Sequence, residues 1–147
     1  GGPAKDKKFV QKIMAQLASG ATDLYVVNDK FGSPTYTRDF ARNVVAVLDK
    51  EIWGVYNMAC EGLTSRLEVA QFILEHLGLE KQVRIHAVLS EHFEQTYFAK
   101  RPLSESLINS KLNLRNLNRM RSWKVALGAY LDEYYAPVSC LSSRSSG

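Results

Sequence analysis

No stretch of this sequence approaches the roughly 18–20 continuous apolar residues of a membrane span, and its opening, GGPAKDKKF, has no apolar core of a signal peptide. The expectation is a cytoplasmic chain that neither crosses a membrane nor is addressed through one. Two cysteines, Cys60 and Cys140, are too few for a disulfide framework. They predict a reduced setting in which Cys60, inside an apolar run, is a buried free thiol. Charge of one sign is also missing: the formal net charge of +4 comes from Lys and Arg scattered among acids. The densest basic stretch, RNLNRMRSWK at 115–124, therefore reads as solvated surface, and nucleic acid is not an expected partner. His76, His86 and His92 lack metal-ligand spacing, and there is no P-loop, no G-x-G-x-x-G after a strand and no G-x-S-x-G elbow. A zinc centre, an autonomous nucleotide-cofactor site and a serine-hydrolase elbow are thereby excluded from the reading.

What is present suits one ordinary globular domain. The 147 residues are 46% hydrophobic and 23% charged, enough to bury a core without disulfides or metals. Phe9, Val10, Ile13, Met14 and Leu17 recur at helical spacing and predict a helix over 4–19 that stops at Gly20. A short strand is expected over 24–27, ended by the turn-favouring pair Asn28 and Asp29. A second helix is expected over 38–50. WGVYNMAC at 53–60 reads as a strand that is apolar on both faces, as in a sheet covered on each side. Ser65 and Glu68 have the S-x-x-E form of a capping box opening a third helix over 66–77, with Gly78 ending it. A further strand follows at 83–88, residues 90–101 resist assignment, and Ser122 is placed to cap a final helix. The stripe of that helix runs through Trp123, Ala126, Leu127, Tyr130, Leu131 and Tyr134 until Pro137. Alternating strands and helices give an α/β class, a small mixed or parallel sheet flanked by about four helices. Residues 1–138 form the expected domain, and the Ser-rich stretch 139–147 reads as a disordered or cloning-derived tail. The absence of an initiator Met suggests a fragment or a trimmed chain.

Within FGSPTYTRDFA at 31–41, Gly32 and Pro34 shape a turn, Thr37 stands where an N-cap hydroxyl belongs, and Asp39 suits the first helical turn. Lys100, Arg101 and Pro102 form a second loop, whose guanidinium suits either a phosphate or an ordinary ion pair. His76 is expected to face a helix C-terminus, His86 to pack half-buried in a strand, and His92 to have the best chance of the three of touching a ligand. Glu91 and Glu94 are too isolated for a general acid/base pair.

Four blocks, VVNDKFGSPTYTRDFARNV, GVYNMACEGLTSRLEVAQFILEHLGL, AKRPLSESLINSKL and RSWKVALGAYL, together resemble the C-terminal part of the dTDP-4-dehydrorhamnose reductases, extended short-chain dehydrogenases. The resemblance implies the smaller, sugar-nucleotide-binding domain of such an enzyme, without its N-terminal Rossmann domain. That missing domain would carry the glycine-rich loop for NADPH or NADH and the Tyr-x-x-x-Lys catalytic pair. No Tyr here has Lys four positions on, and Tyr97 with Lys100 is one residue short, so no catalytic residue and no cofactor is assigned to this chain. On the substrate side, Gly32, Ser33, Pro34 and Thr35 match the family's G-S-P-T loop. Arg101 and Pro102 match an Arg-Pro that faces the nucleotide diphosphate in related enzymes. Lys8 and Phe9 fall where the family has an Asn-Phe segment near the pocket, Lys8 standing in place of Asn, and Arg66-Leu67 replaces an aromatic pair. Gly32-Ser33-Pro34, where related epimerases carry an Arg-Asp pair, favours the reductases. The implied reading is a dTDP-sugar-binding part that is inactive alone. The alternative is a noncatalytic interaction module, as in the family's regulatory subunits. Either predicts association, with the missing domain or with a second copy in a homo-oligomer, to cover apolar surface.

Overall fold

The computed structural model describes residues 9–96 and 102–135. Lys8, Tyr97, Lys100, Arg101, Pro137, Cys140 and the Ser-rich tail lie outside the described residues. The first helix, α1, is Phe9–Ala18, and it buries Ile13 and Met14 as its periodicity requires. The next element is β1, Asp23–Val27. Its partner is β4, Arg84–Val88, in a parallel pair with Leu24 opposite Ile85 and Tyr25 opposite His86. Leu24 and Val26 turn inward while Asp23 and Tyr25 face out, the period-2 pattern of a half-covered strand. Between them lie β2, Phe31–Gly32, α2, Thr37–Leu48, β3, Thr64–Ser65, and α3, Arg66–Leu77. β2 and β3 pair antiparallel, with Phe31 opposite Ser65 and Gly32 opposite Thr64. A 3-10 turn, Ser90–Thr96, a short helix α4, Ser110–Leu114, and α5, Trp123–Tyr135, complete the order. The fold is α/β as expected, its sheet content divided into one parallel and one antiparallel pair among the described residues.

α3 lies at the centre. It packs on α1, β1 and α5, and Val69, Ala70, Ile73 and Leu74 join Leu24, Val26, Trp123, Leu127 and Leu131 in one core. The capping box forms as predicted: the Ser65 hydroxyl accepts the Glu68 N–H, and the Glu68 carboxylate accepts the Ser65 N–H at 2.7 Å. α3 ends at Gly78. Cys60 is a buried free thiol, and its burial pushes its pKa up.

Three local expectations are corrected. Residues 53–60 form no strand and bend at Gly54, and Trp53 and Val55 are 82% and 81% exposed rather than covered. Side chains take over the work of a ladder at the end of this run. Asn109 accepts the Ala59 N–H at 3.0 Å and donates to its carbonyl at 2.7 Å, while Thr35 Oγ1 accepts the Cys60 N–H. Thr37 is already helical: the N-cap of α2 is Tyr36, with no side-chain cap bond. Asp39 does stand in the first turn, but it is buried and held by Arg121 through two hydrogen bonds of 2.8 and 2.9 Å. A fifth helix, α4, was not foreseen because its five residues are too few to show a period.

Candidate functional site

The predicted substrate residues Gly32, Ser33, Pro34 and Thr35 follow β1 and cross to the start of α2. This crossing is fixed from below. Ser33 Oγ donates to the Gly62 carbonyl at 2.8 Å, and Thr35 Oγ1 donates to the Ser33 carbonyl at 3.1 Å. Gly62 has φ +97°, and a Cβ there would lie 3.1 Å from the Trp123 ring. Only glycine can close the loop over that ring and still present its carbonyl to Ser33. Residue 61 is anchored in turn to the start of α5: the Glu61 N–H donates to the Arg121 carbonyl, and the Trp123 N–H to the Glu61 carbonyl, both at 2.9 Å.

The segment that begins at Pro102, the described end of the second predicted loop, comes to the same place. The Phe31 N–H donates to the Leu103 carbonyl at 2.8 Å, and the Glu105 N–H donates to the Phe31 carbonyl at 3.0 Å. Phe31 thus forms a parallel bridge with Ser104 on one side and the β3 pair with Ser65 on the other. Pro102, exposed, enters this bridge directly. Two segments about 70 residues apart in the chain, a separation of the kind that costs loop-closure entropy, become neighbouring strands of one surface. Phe9, half-buried at the start of α1, reaches the same end of the molecule through Arg66. That guanidinium lies 5.9 Å from the Phe9 ring centroid, and the Arg66 N–H donates to the Lys30 carbonyl. Gly32 has an ordinary φ, and a Cβ built there would meet nothing within 4 Å. Its packing does not demand glycine, and the space above it is open.

The other singled-out groups lie elsewhere. His76 pairs with Asp132 at 2.7 Å and stacks on Phe72, joining α3 to α5. His86 is half-buried and pairs with Asp23 at 2.7 Å, a bond that with Thr22 holds the Asp23 carboxyl below its usual range. His92 stacks on Tyr25 and meets Phe93 edge-on. Its 3-10 turn is tied to the bend after β1 by Ser90, which donates its N–H and hydroxyl to Asp29. Burial acts to raise the Asp29 pKa, but the two Ser90 bonds, its own backbone N–H and the Lys30 charge together lower it. Among the described residues no cluster of three His, Cys, Asp or Glu could hold a metal ion, and no helix is long and apolar enough to cross a membrane.

Sequence reasoning missed Arg66, Leu103, Ser104 and Gly62 as parts of this constellation. Arg66 carried a signal, the cation at the first position of α3, but its partner Phe9 is 57 positions away. Leu103 and Ser104 contribute only backbone, which residue type does not encode.

Comparison with known proteins adds an independent line. A family model described as the RmlD substrate binding domain matches residues 3–136. A dTDP-4-dehydrorhamnose reductase of Mycobacterium tuberculosis is 36% identical over 132 residues, which are 89% of this chain and 41% of that protein. A crystal structure of such a reductase from Clostridium acetobutylicum superposes with a TM-score of 0.79 at 32% identity, covering 88% of this chain and 44% of that one. The reductase of Bacillus anthracis, solved in complex with NADP, gives a TM-score of 0.75 at 26% identity over 87% of this chain and 43% of its own. The chain spans less than half the length of these relatives.

Proposed function

The chain belongs to the RmlD substrate binding domain family, and on that premise we propose that it is the part of a dTDP-4-dehydrorhamnose reductase that holds the sugar nucleotide, without reductase activity when alone. The observation that supports this reading is the backbone bridge at Phe31, which sets the loop of Gly32, Ser33, Pro34 and Thr35 beside the segment entered at Pro102. Arg101 directly precedes that segment, and its planar fork is suited to two oxygens of a diphosphate. The dTDP-sugar lies along this joined edge, with Phe9 at its rim, and Lys8 is proposed as a contact on the resemblance alone. The domain is residues 1–138, with 139–147 outside it.

NADPH or NADH fits poorly on the residues described. A dinucleotide phosphate is ordinarily received by a free helix N-terminus. Here the first turn of α2 contains the Asp39 carboxylate, and the start of α3 is filled by its own capping box. On this reading the nicotinamide and the proton donor are assigned to a further part of the enzyme, and no chemical step to this chain. Its residues bind and orient.

Calorimetric titration with dTDP and with dTDP-rhamnose tests the reading. Saturable binding that weakens about tenfold, some 1.4 kcal/mol, in Arg101→Ala is the expected result. Mixing the chain with NADPH and the keto sugar is expected to leave NADPH unconsumed, and turnover would refute the claim of inactivity. A second reading, a noncatalytic interaction module that associates with another domain or with itself, is favoured by the exposure of Trp53 and Val55. Absence of binding to both ligands selects it.

A further inference from the structure

Arg66 stands at the first position of α3, the end of a helix at which the aligned peptide dipoles leave positive charge. A cation is locally unfavourable there. The residue is nevertheless held in place. Its N–H donates to the Lys30 carbonyl at 3.3 Å, continuing the β2–β3 pairing by one position beyond Phe31 and Ser65. Arg66 is therefore seated beside the strand that Phe31 shares with residues 103–105.

Its half-buried side chain lays the guanidinium over the Phe9 ring, 5.9 Å from the centroid. The N–H groups of a guanidinium lie in its own plane, so contact with a ring leaves them available. Among the described residues they meet no carboxylate and no other acceptor. Glu68, the acid of the same turn, is engaged through Oε2 by the Ser65 N–H and the hydroxyls of Ser65 and Thr64. Arg38 and Arg121, by contrast, are paired with Glu133 and Asp39. The neighbouring loop has few donors of its own to offer an anion: Ser33 Oγ and Thr35 Oγ1 direct their protons to the Gly62 and Ser33 carbonyls.

We infer that Arg66 is a further ligand-binding residue of this site, donating from its guanidinium to the oxygens of a diphosphate while the Phe9 ring holds it in position. The inference rests on the sugar-nucleotide reading above and adds the positive charge and the donors that a diphosphate requires. It also accounts for a cation at the positive end of α3, where a bound anion would be favoured by both the side chain and the helix. A staple joining α1 to α3 through the Phe9 contact is the plainer role for Arg66. That role asks only for the ring contact, and it predicts no response to anions.

Titration of the chain with dTDP, and separately with inorganic diphosphate, tests the inference when the arginine Nε–H signals are followed by NMR. The Arg66 signal, assigned by its loss in Arg66→Gln, should move along a saturable curve with both ligands, while those of Arg38 and Arg121 stay still. In calorimetry Arg66→Gln should bind dTDP about tenfold more weakly. Arg66→Lys should fall between the two, since an ammonium keeps the charge and loses the planar fork. The thermal midpoint of Arg66→Gln should stay close to that of the wild type, because relief at the positive helix end offsets the lost ring contact. Unaltered dTDP affinity in Arg66→Gln would overturn the inference. So would an Arg66 Nε–H that stays still while dTDP moves the Gly32 and Ser33 amides, a result that leaves the sugar-nucleotide reading intact. An Arg66 signal that follows inorganic diphosphate while dTDP binds nowhere would do the reverse, supporting the anion contact and removing that reading.

Discussion

Asp39 and Arg121 are joined across 82 positions by a bidentate pair, Nε to Oδ2 at 2.9 Å and Nη2 to Oδ1 at 2.8 Å, with the carboxylate buried. This pair clamps the start of α2 to the segment that leads into α5, and the hydrogen bonds that Arg121 donates to Asp39 raise the Arg121 pKa. Removing one partner of a wholly buried pair costs roughly 3–5 kcal/mol, and because Arg121 is partly exposed a cost of about 2–3 kcal/mol is expected for Arg121→Ala. Urea unfolding should show it as a lower midpoint at unchanged slope. Arg121→Lys should recover only part, since an ammonium cannot make the fork.

Asn109 replaces a missing strand neighbour for Ala59 and also donates to Glu61 and Asn118. Asn109→Ala leaves a buried N–H and carbonyl unpaired, at about 1–3 kcal/mol each when nothing replaces the bonds. Asn109→Asp keeps the acceptor, loses the donor, and sets a second carboxylate beside Glu61. Both variants should lower the thermal midpoint, and Asn109→Asp should recover stability as the pH falls and the new carboxyl protonates.

The capping box of α3 gives a pH signature. The Ser65 N–H, the largest influence, holds the Glu68 carboxyl below its usual range against the opposing effect of burial. A carboxyl whose folded pKa is depressed contributes stability above its unfolded value, and that contribution is lost as pH falls through the folded value. Wild type and Glu68→Gln should therefore differ at pH 7 and converge below about pH 4. Ser65→Ala should cost about 1 kcal/mol in chemical denaturation at neutral pH.

These sites also mark what a sequence can and cannot display. The capping box, the α5 stripe and the short strand at β1 were legible because each lies within one element, where spacing and composition report local geometry. WGVYNMAC read as a strand by propensity, and the described residues form none there. Its lack of a neighbour was invisible, because pairing is a property of two segments. Asp39 suited a helix start by local rules, and only the distant Arg121 explains its burial. The G-S-P-T loop and the Arg-Pro pair were each readable from the resemblance, yet the junction of Phe31 with residues 103–105 is made by backbone groups that every residue shares.

Gly32 separates folding from binding. Nothing lies within 4 Å of a Cβ built there, and its φ is not in the left-handed region. Gly32→Ala should leave the thermal midpoint unchanged or raise it, in line with the roughly 0.4–1 kcal/mol gained when a compatible glycine is replaced. The same variant should weaken dTDP binding several-fold, because the added methyl enters the space proposed for the ligand. Differential scanning calorimetry and titration of one sample read both effects.

The most direct measurement is a map of backbone amide shifts in the NMR spectrum as dTDP is added. The account predicts that Phe31, Gly32, Ser33 and Thr35 move together with Leu103, Ser104 and Glu105 along one binding curve, and that the amides of α5 beyond its first turn stay still. Saturable shifts confined to other surfaces, or to one of the two loops without the other, would contradict a site built at the Phe31 bridge.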